Sequence, residues 1–163
     1  MKSKQRFLLW LFPFLGFYVQ NTSQGAPMSI NAAGEPQGQC EVRTTAYTQS
    51  RHGRETNATG SQLKAGDLKS AAADWSRFPL GTKFKVIETH QTYVVDDYGP
   101  ALVGKNKIDL FMPSFREMRH WGVRKVTIDI IERGSYAKSL ALLKPRKRVP
   151  YVRRMVKGLE QKM

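Results

Sequence analysis

VVDDYGPALVGKNKIDLF, from Val94 to Phe111, sets three aspartates and two glycines in a β-branched, apolar frame, with Pro100 in the loop between the acidic positions. Short apolar runs on either side of a Gly- and Pro-containing segment read as two strands, TYVVDD and KIDLFM, joined by a loop. The chain has 27 Lys and Arg against 13 Asp and Glu, so three carboxylates within fourteen positions need a reason. An acid held among apolar residues and other acids resists ionisation, which is a property of sites and not of solvated surfaces.

Outward from this stretch the chain continues as short strands. VRTTAYT from Val42, KSAAAD, TKFKVIE and VRKVTIDII are β-branched or apolar runs separated by turn signals such as Phe78 to Gly81. Gln49 to Ser61 is polar and Gly-punctuated, hence a long loop. One short helix fits PSFREMRHWG, with Pro113 near its first turn and Gly122 after its end. Six short strands and one short helix predict an all-β fold, a small closed barrel and not a sandwich or a bundle.

The two ends differ from this middle. Lys2, Lys4 and Arg6 precede an apolar run from Phe7 to Val19 and a small polar exit at Gly25 and Ala26, the architecture of a secretory signal. The run is short for a membrane span, which takes about 20 residues, and Pro13 interrupts it. Residues 1–26 are therefore read as a signal peptide or an N-terminal anchor, and either places the body of the protein outside the cytoplasm: periplasm, cell envelope or secreted. Residues 27–41 read as a linker rich in Gly, Pro, Asn and Gln, and Cys40, the single cysteine, falls in it and has no partner for an intramolecular disulfide.

Residues 42–135 form the expected barrel domain and 136–163 a basic tail. From Lys138 to Met163 nine Lys and Arg face Glu160 alone, a net of +8; with +3 at the opening, the middle keeps only +3 of the total +14. A brief Ala and Leu helix signal is followed by two prolines among bases. The composition predicts solvated bases, so that deletion of Lys144 to Met163 leaves the barrel folded. Such a tail suits contact with an anionic wall polymer or lipid; an exported protein excludes intracellular nucleic acid as the partner.

Five blocks in order, TAYT (Thr45 to Thr48), ATGS (Ala58 to Ser61), AAADWSRFPLGTKF (Ala71 to Phe84), VVDDYGPALVGKNKIDLFMPS (Val94 to Ser114) and WGVRKVTI (Trp121 to Ile128), resemble the three-aspartate, or 3D, domain. That domain is shared by the membrane-bound lytic transglycosylase A family and the stationary-phase muralytic factors. The resemblance covers roughly Val42 to Ile131 and implies a double-psi β-barrel fold. It matches the three family aspartates to Asp74, Asp97 and Asp109. Asp97 is preferred over Asp96 because Asp-x-Gly continues as Asp97, Tyr98, Gly99. Pro100 stands where a second glycine is common.

The activity this implies is a peptidoglycan lytic transglycosylase, which cleaves the MurNAc–GlcNAc bond and leaves a 1,6-anhydro-muramyl end. One carboxyl group serves twice there, as acid toward the leaving oxygen and as base toward the C6 hydroxyl, whereas ordinary glycosidases use two. Asp109, between Ile108 and Leu110, is the expected acid, with Asp97 and Asp74 as charged neighbours that help keep it protonated. Tyr47, Tyr98, Thr59 and the loop glycines Gly99 and Gly104 are the expected substrate contacts. Trp75 is a further aromatic candidate, and Trp121 reads as core. Asp67, Asp96 and Asp129 read as turn and strand-end residues. No cofactor is called for. Oxygens of Asp96, Asp97 and Asp109 are an alternative cation site, but the histidines at 52, 90 and 120 lack ligand spacing, and no metal is expected. The rival function is a non-catalytic module that binds cell-wall carbohydrate.

Overall fold

The computed structural model of the protein describes residues 38–49 and 56–163. The expected signal or anchor, nearly all of the linker and the middle of the Gln49 to Ser61 loop lie outside the described residues.

Six strands close into a barrel: β1 (Gln39–Tyr47), β2 (Leu68–Ala72), β3 (Lys83–Val86), β4 (Thr92–Asp97), β5 (Lys107–Phe111) and β6 (Arg124–Glu132), hydrogen-bonded in the order β1-β5-β2-β4-β3-β6. The pairs β1/β5 and β2/β4 are parallel. The other four are antiparallel. Period-2 alternation selects the inner face: along β1, Cys40, Val42 and Thr44 are buried while Glu41 and Arg43 are exposed. The interior is filled by Val42, Ala71, Phe84, Tyr93, Val95, Ile108, Leu110 and Ile128, each at most 1% exposed. Full burial of one large apolar side chain contributes about 1.5–3 kcal/mol, so this set is the main source of the barrel's stability.

Cys40 is not a linker residue. It pairs with Ile128 across β1/β6 and belongs to the core; burial pushes its thiol pKa up, which keeps it a neutral apolar filler. The short helix α1 (Phe115–Trp121) forms where the sequence places it. Ser114 caps it in a reciprocal box with Glu117, and Gly122, at φ 63°, ends it.

The tail departs from expectation. It folds into α2 (Tyr136–Leu143), a 3₁₀ turn at Lys144–Arg146, and α3 (Pro150–Glu160), so the described residues hold three α-helices where one was expected. In α3, Val152, Met155, Val156 and Leu159 recur at helical spacing and are buried in the same cluster as the barrel residues. Pro150 starts this helix at its first turn, where its missing N–H costs nothing.

Two close approaches fix the attachment. Gly134 meets the turn before β3 so tightly that a Cβ there would lie 2.3 Å from the Leu80 carbonyl oxygen, and the Ser139 hydroxyl accepts from the Leu80 N–H at 2.8 Å. Gly158 of α3 lies against Ser76, with space for a Cβ only at 2.9 Å from that side chain. The bases are solvated, as composition requires, but the backbone that carries them is packed on the barrel.

Candidate functional site

Strand register brings the acids together. Asp109 on β5 pairs with Thr45 on β1 and with Ala72 on β2, and Ala72 pairs on its other side with Asp97 on β4. Asp97 and Asp109 therefore flank one alanine, two strand spacings or about 10 Å apart at Cα. The register of β2 against β4 skips from Val95 to Asp97; Asp96 is the extra residue of a bulge, a device that re-aims side chains beside sites.

Asp109 is half-buried, and one of its oxygens, Oδ1, accepts from the Thr45 hydroxyl at 2.8 Å. Burial raises its pKa, opposed by the Thr45 hydrogen bond and by the Lys107 charge. The neighbouring aspartates are not among the causes: desolvation alone makes this acid reluctant to ionise. They act instead on Tyr47, whose phenol is pushed far above its ordinary range, first by burial and then by Asp97, Asp96 and Asp109 in turn. Tyr47 thus sits in the joint field of three carboxylates. Its ring packs on Phe111 at 5.5 Å, and its hydroxyl is buried with no hydrogen-bond partner among the described residues.

Asp96 is 4% exposed. Its Oδ2 accepts from Lys64 Nζ at 3.0 Å and from the Ser70 hydroxyl at 2.8 Å, while Oδ1 is buried without a partner among the described residues. The geometry makes it more than a turn residue. Asp74, by contrast, is 2% exposed and fully engaged. Its Oδ1 accepts from the Ser76 N–H and hydroxyl, and its Oδ2 from the Gly104 N–H at 2.7 Å. Gly104 reaches it through a left-handed backbone, φ 77°, so Asp74 clamps the loop that follows Asp97 onto the turn after β2.

Asp97 holds the same region from the backbone: its carbonyl accepts from Trp75 Nε1 at 2.9 Å and from the Ala73 N–H, and its Oδ1 accepts from the Tyr98 N–H. Trp75 is fully buried, with its ring edge to face on Tyr98 at 4.9 Å; it supports the site and does not face sugar. Trp121 is core, and its indole N–H donates to the Thr44 hydroxyl. Gly99 makes a turn, its carbonyl accepting from the Leu102 N–H.

Beside Asp97 opens a polar groove of about 550 Å³, walled by Asn57, Ala58 and Gly60 on one side and by Tyr98, Arg146 and Tyr151 on another. Asn57 Oδ1 organises its rim by accepting from the Thr59 N–H and hydroxyl and from the Ser61 N–H, so the Thr59 hydroxyl is spent on the loop itself. Among the described residues no three His, Cys, Asp or Glu side chains gather as metal ligands, and no helix is long and apolar enough to cross a membrane.

Residues 69–132, from the second residue of β2 to the end of β6, match the 3D domain family. From β2 to β6 the barrel is similar to the 3D domain. Asp74, Asp97 and Asp109 all fall inside the matched span. The cell wall-binding protein YocH of Bacillus subtilis (strain 168) is 35% identical over 113 residues, which cover 68% of this chain and 39% of that protein; the chain thus matches well under half of its relative's length.

Within the barrel the register assembles Asp97, Asp109 and, from β1 outside the matched span, Tyr47 around one face and sets Asp74 behind it as a clamp. Sequence reasoning passed over Asp96, because a carboxylate before a loop looks like a cap; only the bulge shows its burial. It also passed over Arg146 and Tyr151, which lie outside the matched span and reach the groove only because α2 and α3 fold back.

Proposed function

We propose that the protein is an exported peptidoglycan lytic transglycosylase with Asp109 as its general acid and base. The observation that carries this reading is the state of Asp109: burial favours the protonated carboxyl, and Thr45 holds Oδ1 while Oδ2 has no hydrogen bond among the described residues. A proton on Oδ2 would pass to the glycosidic oxygen as the bond from the muramic acid C1 breaks. The carboxylate left behind would then take the proton of the C6 hydroxyl as that oxygen closes on C1, which returns Asp109 to its starting state and gives the 1,6-anhydro product.

Asp97, in the neighbouring groove, suits hydrogen bonding to sugar hydroxyls, and Tyr98 and Tyr151 offer the aromatic surfaces. Asp74 and Gly104 position the loop between Asp97 and Asp109. Outside the groove, the exposed Arg148, Arg153, Arg154 and Lys157 suit attraction to anionic wall polymers or lipid. The second reading, a non-catalytic wall-binding module, has support in the Bacillus relative, which is a cell wall-binding protein; a domain can keep its groove and lose its chemistry.

Incubation of the purified protein with sacculi, followed by mass spectrometry of the released material, separates the readings. Anhydro-muropeptides are expected. Reducing-end products would mean hydrolysis, and tight binding without release would leave the wall-binding module.

A further inference from the structure

The groove beside Asp97 contains a cation that the barrel itself does not supply. Arg146, in the 3₁₀ turn between α2 and α3, donates through Nη1 to the Ala58 carbonyl at 3.1 Å and to the Tyr98 hydroxyl at 3.0 Å. Both acceptors are neutral, and the ion pairs among the described residues do not include Arg146. A guanidinium has five donors in a planar fork suited to a carboxylate, and here two neutral oxygens fix it, solvent-exposed and outside the ion pairs of the described residues, at the groove wall. Across the rim, Asn57 is 5% exposed and its Nδ2 is a buried donor without a partner among the described residues. An acceptor-rich anion seated in the groove would satisfy both kinds of donor.

We propose that Arg146 is a specificity-determining residue that pairs with a carboxylate borne directly on the glycan, the lactyl group of muramic acid in peptide-free strands. This rests on the glycan-binding reading of the groove. Tyr98, to which Arg146 is bonded, follows Asp97 in sequence and packs near Tyr151, with ring centroids 6.3 Å apart, so a sugar ring seated on these aromatic faces would meet the cation at its edge. An acid attached to that ring is within reach without an intervening peptide. When a stem peptide is present, the lactyl carboxylate becomes a neutral amide and the pairing is lost. The C-terminal helices would thereby turn a general glycan groove into one that prefers strands stripped of peptide.

Calorimetric titration of the full chain tests this with three probes: peptide-free muramic acid glycan oligomers, the same oligomers with their lactyl groups converted to methylamides, and neutral chitin oligomers. A charged pair at a solvent-exposed arginine predicts that methylamidation weakens binding by roughly 2- to 5-fold. Arg146→Gln should lose the same factor on the free acid, show no further loss on methylamidation, and bind chitin oligomers as the parent does; Arg146→Lys should recover part of the preference. Equal weakening of all three probes by Arg146→Gln would assign the residue to packing and overturn the proposal, as would a preference for the free acid that survives in Arg146→Gln. Failure of every glycan to bind the folded parent would remove the groove reading along with it.

Discussion

Leu159→Ala decides whether the C-terminal segment is an appendage or part of the fold. Leu159 lies in the last turn of α3 and is 0% exposed, in one cluster with Trp75, Phe78 and the barrel interior. Truncating a fully buried leucine removes its transfer free energy and leaves a cavity, roughly 2–5 kcal/mol. For a domain of this size that is a fall in melting temperature of about 8–20 °C. Composition alone, which sees a basic tail, predicts a change within about 0.5 kcal/mol, as for any solvated position. Arg153→Ala, exposed on the same helix, should stay within that limit. Removal of α3 altogether exposes the surface that Val152, Met155, Val156 and Leu159 cover, roughly 6–12 kcal/mol at about 1.5–3 each, comparable with the whole stability of a small domain. Thermal melts followed by far-ultraviolet circular dichroism measure both changes. A Leu159→Ala protein that melts within about 2 °C of the parent would show that α3 is not part of the cooperative unit, and the structural account of the tail would be wrong.

Asp109→Asn should stabilise the protein near neutral pH, because burial favours the neutral side chain. The folded-state pKa lies above the unfolded one, so the stability contributed by the Asp109 proton is complete below the ordinary carboxylate range and is lost as pH rises through the raised value. The advantage of the Asn variant should therefore vanish in acid, and a difference independent of pH, from melts across that range, would refute the desolvation argument. Asp74→Asn presents an amide donor to the Ser76 and Gly104 donors and should destabilise by roughly 1.5–3 kcal/mol in urea titration, with faster proteolysis of the loop through Gly104. Gly134→Ala forces a Cβ onto the Leu80 and Pro79 carbonyls and should cost about 1–3 kcal/mol; a neutral result would mean that the β6–α2 junction shifts freely.

The barrel was legible because each strand carries its own signal. VVDD and KIDLF have β-branched and apolar frames, and Ser114 with Glu117 before Gly122 announces a capped helix. Asp109 was readable too, since Ile108 and Leu110 on either side place it on a half-buried strand. What escaped was either masked by composition or depended on tertiary contact. The spacing of Val152, Met155, Val156 and Leu159 is a helical stripe in plain sight, but Pro145, Pro150 and seven Lys and Arg between residues 144 and 157 read as solvated chain. Cys40 looked like linker because β1 begins earlier than its β-branched run. The expectation that Asp97 and Asp74 raise the Asp109 pKa did not hold, because register sets Asp97 across Ala72 and the Ser76 and Gly104 donors satisfy Asp74, facts that no local pattern encodes. Arg146 needed the fold-back of α2 and α3 to come near Tyr98 at all.

The measurement that bears most directly on the central claim is the rate at which Asp109→Asn, shown by its melt to be folded, releases 1,6-anhydro-muropeptides from sacculi relative to the parent. Loss of the transferable proton predicts a fall of roughly 10²- to 10⁴-fold with sacculus binding retained, while Asp129→Asn, on β6 and outside the acid cluster, keeps the parental rate. Release by the Asp109→Asn protein at the parental rate would contradict the assignment of Asp109 as the acid.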